Sequence, residues 1–300
     1  MAAVAGVPEI SKLTPLEMRQ AHFQLMQMVG GRGVPIGRIE DSELPGPGGP
    51  LAIRIYTPVA PGAEQLPGLI YFHGGGWVFG DLDTHDGICR MLANDAGCRV
   101  IAVAYRLAPE HAFPAAVEDS CAATTWVTRH TSELGIDQRR IAIGGDSAGG
   151  NLAAVVCQRA KKMGGQDLAL QVLLCPVMDM SAETQSRRAF AEGYFLDKAT
   201  IDWTLKHYRP SPVDLKDPRI SPLHGADLRG LPPTHIHTAE FDPLRDEGKA
   251  YADRLERAGV KVSYTCHDGM IHNFYAMAGV IPYGRTAMAS VGAAIKMALA

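Results

Sequence analysis

Short apolar runs alternate with longer amphipathic segments through most of the 300-residue chain. The buried-strand candidates are 68–72, 99–107, 140–143, 169–177, 234–239 and 261–266. Helix-length segments lie between them, notably 114–134 and 152–163. Continuous apolar strands that alternate with helices are typical of a parallel sheet with helices on both faces. The pattern therefore predicts an α/β fold.

The N-terminal region predicts a helix and then a β-hairpin. Thr14 and Glu17 have capping-box spacing, with Pro15 at the first helical position. A wide, methionine-rich apolar face follows over 16–29, which is typical either of an ordinary packing helix or of a movable cover over a pocket. Strand candidates 39–44 and 51–56 flank a proline- and glycine-rich turn, as in a hairpin.

Residues 178–231 interrupt the strand–helix rhythm, because they contain no buried-strand run. Their one helix signal is Asp197, followed by Ile201, Leu205 and Tyr208 at helical spacing. An insertion of this size between core strands usually forms a lid or a binding element. The predicted division is a core of 39–177 and 232–300, with a cap built from 1–38 and 178–231.

Composition and charge exclude several classes of protein. Hydrophobic residues make up 46% and charged residues 20% of the chain, which is typical of a globular protein with a core and not of a disordered one. The net charge of −3 gives no indication of the basic surface that binds nucleic acid. No apolar run approaches the roughly 18 residues of a membrane span, and no signal peptide is recognised. The six cysteines contain no C-x-x-C pair and predict reduced thiols. We expect no membrane span and a cytoplasmic location.

Residues 145–149 match G-x-S-x-G between a predicted strand and a predicted helix. In this signature a sharp turn exposes the central serine, and glycines flank it because side chains there would collide with neighbouring backbone. Ser147 would also lie at a helix N-terminus, which favours developing negative charge. The segment predicts Ser147 as a nucleophile; the alternative is an ordinary Ser/Gly turn.

A run of three glycines follows the strand candidate 68–72, within the glycine loop, residues 73–77. Consecutive glycines leave backbone N–H groups unshielded, so that they can approach an oxyanion closely. The predicted donors are the N–H groups of Gly74, Gly75 and Ala148. The alternative is a flexible glycine turn.

An acid and a histidine should follow the serine in that order. Asp242 comes after a predicted strand, at the carboxyl end where open α/β sheets place their sites; Glu240 is its main competitor. His272 lies beyond an expected turn at Gly269 and is predicted as the base, with His267 as its rival at the strand end.

No metal or cofactor is expected. The 11 histidines include no H-E-x-x-H pattern, and the chain has neither G-x-G-x-x-G nor G-x-x-x-x-G-K-[ST]. Four aromatic residues are predicted to line a substrate pocket, with a place in the cap core as the alternative. They are Trp77, Tyr194, Phe195 and Trp203.

Together these motifs resemble the hormone-sensitive lipase-like family of α/β-hydrolases, of the bacterial carboxylesterase type. The matching segments occur in family order: 73–77, 80–86, 105–110, 145–149, 242–247 and 272–274. The resemblance implies an α/β-hydrolase fold with a mostly parallel eight-stranded sheet and a helical cap. It also implies carboxylesterase activity on short- to medium-chain acyl esters, without a cofactor. Asn273 departs from the family, which more often has glycine after the histidine.

Two other functions stay open at this point. A lactone or amide hydrolase would use the same Ser-His-Asp triad. A non-catalytic small-ligand receptor on the same scaffold would have lost a catalytic residue, whereas Ser147, Asp242 and His272 are all present. The expected partner is a small-molecule ester, and a homodimer is the candidate assembly.

Overall fold

The computed structural model describes residues 10–31, 33–61, 65–165, 168–209 and 212–300. Within these ranges eight strands form one sheet. They are β1 (Arg38–Gly46), β2 (Gly49–Thr57), β3 (Leu66–Phe72), β4 (Arg99–Val103), β5 (Ile136–Asp146), β6 (Leu170–Leu174), β7 (Thr234–Phe241) and β8 (Val262–Ile271). The order across the sheet is β1-β2-β4-β3-β5-β6-β7-β8. Only the β1–β2 and β2–β4 pairs among these are antiparallel. The predicted hairpin and mostly parallel sheet are confirmed.

The α-helices in the described ranges are α1 (Pro15–Val29), α2 (Asp86–Ala96), α3 (Ala115–Arg129), α4 (Ala148–Lys162), α5 (Gln185–Ala189), α6 (Lys198–Tyr208), α7 (Arg245–Arg257) and α8 (Pro282–Ala298). Five of them, α2, α3, α4, α7 and α8, cover the two faces of the sheet. Along β3, Ile70 and Phe72 join the apolar core that α3, α4 and α7 cover. Leu69 and Tyr71 alternate with them and join the core under α2 and α8. None of the helices in the described ranges is long and apolar enough to cross a membrane.

The two helices expected in the cap segments begin where the sequence predicts. Thr14 Oγ1 accepts from the Glu17 N–H, and the Glu17 carboxylate accepts from the Thr14 N–H, which completes the capping box of α1. Asp197 caps α6 by accepting from the Thr200 N–H at 2.8 Å. Helix α5 was not predicted. Residues 1–9, 32 and 210–211 of the predicted cap lie outside the described residues.

Strand β8 extends further than the predicted run 261–266. Its register against β7 shifts between Ala239 and Phe241, and Phe241 then pairs with Ile271. The N–H of Gly269 donates to Glu240 Oε2 at 2.7 Å within this irregular stretch, where Gly269 has a φ of +74°. The expected turn at Gly269 is therefore wrong, because the glycine lies inside the strand and His272 follows the strand end directly. All six cysteines lie in the described part of the chain and are free, as expected.

Candidate active site

Ser147 lies at the sharp turn between β5 and α4. Its φ is 53°, a left-handed conformation that is uncommon for a residue with a Cβ atom. A Cβ on Gly145 would lie 2.3 Å from the Phe72 carbonyl oxygen, and one on Gly149 would lie 1.9 Å from it. Glycine is therefore required on both sides of the serine, as the motif predicts.

His272 lies between Ser147 and Asp242. Its Nε2 is 3.1 Å from Ser147 Oγ, and its Nδ1 is 2.7 Å from Asp242 Oδ2. The other carboxylate oxygen of Asp242 accepts from the Leu244 N–H at 2.8 Å. All three side chains are buried, and Asp242 is fully so. The structure thus brings the three predicted residues into one hydrogen-bonded chain.

Neither rival residue takes part in this chain. Glu240 accepts from the Gly269 N–H through its side chain. His267 lies inside β8, where its Nε2 is 3.2 Å from His237 Nδ1 and its Nδ1 is 3.1 Å from the hydroxyl of Tyr283. These partners hold both residues away from Ser147.

The glycine loop differs from the prediction at its first glycine. The Gly74 N–H donates to Asp146 Oδ1 at 3.1 Å, and a Cβ on Gly74 would lie 2.2 Å from Asp146 Oδ2. Gly74 is also absent from the described residues that line the cavity at Ser147, whereas Gly75 and Gly76 are among them. The structure therefore contradicts Gly74 as an oxyanion donor, because its N–H is already bonded to a buried carboxylate. Gly76, which the sequence reasoning missed, takes its place in the lining.

Asp146 connects the glycine loop to the serine turn. Besides the Gly74 N–H, it accepts from the Tyr71 hydroxyl at 2.7 Å and contacts His85 Nε2 at 3.3 Å. Burial alone would raise the pKa of Asp146, but the charge and hydrogen bond of His85 lower it to about 2. Burial alone would lower the pKa of His85, but the charge and hydrogen bond of Asp146 have the larger effect, so that the pKa is raised. Sequence reasoning missed this contact, because nothing local pairs His85 with a residue 61 positions away.

Ser147 and His272 open into a cavity of about 290 Å³. Most of its wall is apolar. Helix α1 contributes Met18, Ala21 and Leu25, while α6 contributes Ile201 and Thr204. Helices α1 and α6 thus wall one side of the cavity, and the sheet side supplies the reacting groups.

The four predicted pocket residues separate into two pairs. Phe195 and Trp77 are among the lining residues, although the Trp77 ring stacks on Tyr208 and is only 1% exposed. Tyr194 and Trp203 are not among the described lining residues. The Tyr194 ring stacks on Phe241. Trp203 is buried beside His207 and donates from Nε1 to the Leu13 carbonyl. The Tyr194 ring thus faces the end of β7, and the Trp203 side chain faces the segment that precedes α1.

Three potential metal ligands lie close together here: Cys175, Asp242 and His272 have ligand atoms within 4.8 Å of one another. However, His272 Nδ1 is bonded to Asp242, and its Nε2 faces Ser147. Both ring nitrogens are thus engaged in the hydrogen-bonded chain, and we assign no metal to the cluster.

Known proteins share this architecture. A family model described as α/β hydrolase fold matches residues 69–276. The carboxylic ester hydrolase LipN of Mycobacterium tuberculosis is 48% identical over 242 residues, which cover 79% of this chain and 64% of LipN. The chain thus spans less than two thirds of that relative. The carboxylesterase NlhH of the same species is 43% identical over 83% of this chain and 79% of its own length.

A solved structure agrees over nearly the whole chain. An ester hydrolase from the metagenome of Lake Arreo superposes with a TM-score of 0.95 at 43% identity, covering 97% of this chain and 93% of the other. Because the family model and these relatives match most of the chain, the protein belongs to the α/β-hydrolase family, in its hormone-sensitive lipase-like branch of carboxylic ester hydrolases.

Proposed function

We propose that the protein hydrolyses short- to medium-chain carboxylic esters through an acyl-enzyme on Ser147. His272 takes the Ser147 proton as the hydroxyl attacks the ester carbonyl, and Asp242 fixes the imidazole tautomer and stabilises its cation. The alcohol leaves with a proton from His272. Water, activated by the same histidine, then releases the acid. The observation that supports this proposal is the series of hydrogen bonds from Ser147 Oγ through His272 to Asp242. Ser147 and His272 at its open end line the apolar cavity.

The oxyanion of the tetrahedral intermediate would be held by backbone N–H groups of Gly75, Gly76 and Ala148. The two glycines line the cavity beside Ser147. Ala148 is the first residue of α4, where backbone N–H groups have no partner within the helix. Loss of one such donor typically costs about 10²- to 10³-fold in rate.

The cap assignment of 1–38 and 178–231 is part of this proposal. Helices α1 and α6 both contribute to the cavity wall. Helix α6 is also joined to the segment just before α1, since Trp203 Nε1 donates to the Leu13 carbonyl at 3.2 Å. A wall of this kind limits the length of the acyl chain that fits. The cytoplasmic location and the homodimer stay predictions, which cell fractionation and light scattering test.

A panel of p-nitrophenyl esters from acetate to palmitate tests the function, with an aryl lactone and an anilide included. We expect esters of short and medium chains to be cleaved fastest. Ser147→Ala should lower turnover by at least about 10⁴-fold without loss of folding. Ser290→Ala, an exposed serine on α8, is the matched control and should keep wild-type activity. Near-normal turnover by a folded Ser147→Ala variant, or a preference for the lactone or the anilide, would contradict the proposal.

A further inference from the structure

Cys175 lies directly beside the hydrogen-bonded pair of Asp242 and His272. It follows the end of β6 and is 1% exposed. Its Sγ lies within 4.8 Å of a carboxylate oxygen of Asp242 and of a ring nitrogen of His272. Burial and the Asp242 carboxylate raise the pKa of the thiol, whereas the backbone N–H of Asn273 lowers it. One side chain is therefore close to both the acid and the turn that carries the histidine.

The backbone of Cys175 is in a conformation that favours glycine. Its φ is 42°, in the left-handed region, where a Cβ atom is disfavoured. The Cys175 N–H donates to the His237 carbonyl at 2.7 Å, which holds this conformation. Glycine would fit the position without strain. A thiol at a strained position next to the acid points to a role for the thiol itself.

We propose that Cys175 is a positioning residue of the ester hydrolysis proposed above, on which this inference rests. Asp242 uses Oδ2 for His272 and Oδ1 for the Leu244 N–H. The S–H of Cys175 adds a third contact, which restricts rotation of the carboxylate and so fixes the ring of His272 toward Ser147.

The thiol stays protonated in this environment and can act as a donor. Burial first, and then the charge of Asp242, raise the pKa of the Cys175 thiol well above its usual range. A thiolate at this place would repel the carboxylate instead of orienting it. The protonated thiol is a weak donor, so its removal should reduce the rate moderately and not abolish it.

Three variants test the role. Cys175→Gly removes the thiol at a position whose φ suits glycine, Cys175→Ser restores a donor, and Cys98→Ala removes a buried thiol at the start of β4. With p-nitrophenyl butyrate we expect kcat of Cys175→Gly to fall about 3- to 10-fold, because one ordinary hydrogen bond corresponds to roughly a fivefold change in rate. KM should stay within twofold. Cys175→Ser should keep at least half of the wild-type kcat, and Cys98→Ala all of it.

The outcomes separate the two proposals. Wild-type kcat in Cys175→Gly, a Cys175→Ser variant as slow as Cys175→Gly, or an equal loss in Cys98→Ala would each overturn the positioning role. Ser147→Ala in the same assay tests the proposed function by itself. If Ser147→Ala keeps its activity, Ser147 is not the nucleophile and the proposed function fails. If Ser147→Ala loses its activity but Cys175→Gly keeps the wild-type kcat, only the role of Cys175 is refuted.

Discussion

Asp146 and His85 are paired beneath the glycine loop, with 3.3 Å between Oδ2 and Nε2 and with both side chains buried. The same carboxylate accepts from the Gly74 N–H, so this pair fixes the position of the glycine loop relative to Ser147, the residue that follows Asp146. Removing one partner of a buried pair leaves the other charge buried without a counter-charge. This lowers the free energy of unfolding more than the loss of a surface pair does.

This pair links stability to pH in two directions. The pKa of Asp146 is lowered to about 2, so its contribution is present above the unfolded pKa of about 3.9 and is lost as the pH falls through about 2. The pKa of His85 is raised, so its contribution is complete below the unfolded pKa of about 6.5 and is lost as the pH rises through the higher folded value. The pair should therefore stabilise the fold most between about pH 4 and 6.5.

Asp146→Asn should reduce the free energy of unfolding by about 2 kcal/mol at pH 5.5, since a pKa lowered by nearly two units corresponds to that amount. The loss should be smaller at pH 9, because a rise in pH through the raised pKa of His85 removes the proton from that side chain in the wild type. Urea denaturation at both pH values measures it. Asp202→Asn, at an exposed acid paired with Lys198, is the control and should have little effect. An equal loss for Asp146→Asn at both pH values would contradict the paired charge.

Gly74 shows how far sequence reasoning reaches in the site. The run of three glycines at 74–76 is visible in the sequence, and so is the serine motif at 145–149. Which N–H groups face the serine depends on Asp146, whose buried carboxylate takes the Gly74 N–H for itself. That contact joins two segments far apart in sequence, and no local pattern reports it.

The fold shows the same division between local and non-local information. Apolar runs located the strands, and capping residues located the starts of α1 and α6. The end of β8 was missed because Gly269 resembles a turn residue, whereas the pairing of Ile271 with Phe241 carries the strand past it. Tyr194 and Trp203 are predicted to line the pocket because they lie just before and within the apolar helix of the insertion. Their orientation is set by Phe241 and Leu13, which the sequence does not place next to them.

The two rival histidines should respond differently to substitution. His272→Ala should lose about 10⁴-fold or more in turnover, because it removes the group bonded to Ser147. His267→Ala should keep most activity but lose about 1–3 kcal/mol of stability, since it breaks a buried hydrogen bond to His237 and a partly buried one to Tyr283. Steady-state kinetics and thermal melts of both variants measure this. The opposite ranking of the two activities would move the base to His267.

Arg19 anchors α1 to the core. Its guanidinium donates to the Val78 carbonyl at 2.8 Å and to the Ala108 carbonyl at 2.9 Å, and it pairs with Glu110 at 2.6 Å. Arg19→Met keeps the apolar stem but loses all three contacts. We expect the melting temperature to fall and the preference among acyl-chain lengths to become flatter, because α1 forms part of the cavity wall.

Glu110→Gln is the matched control for that variant. It removes only the ion pair, whose carboxylate side chain is 55% exposed, and leaves both carbonyl contacts of Arg19. Exposed ion pairs contribute about 0–1 kcal/mol, so the control should change little. If Glu110→Gln reproduced the full effect of Arg19→Met, the carbonyl contacts would not be the anchor.

The cavity wall should set the preferred chain length. Its volume of about 290 Å³ is roughly ten times the 30 Å³ that one water occupies, which is room for an acyl chain of short to medium length. Each methylene buried in it gains about 0.8 kcal/mol, or about fourfold in kcat/KM, until the space is filled. We expect kcat/KM to rise from acetate to a maximum between butyrate and octanoate and then to fall.

Met18→Ala opens the wall at α1 and should move that maximum to chains about two carbons longer. Leu16→Ala, on the same helix but 62% exposed, should leave it in place. A p-nitrophenyl ester series on the three proteins measures the maxima. A preference that rises steadily to palmitate, or an equal shift in both variants, would show that α1 does not bound the acyl chain.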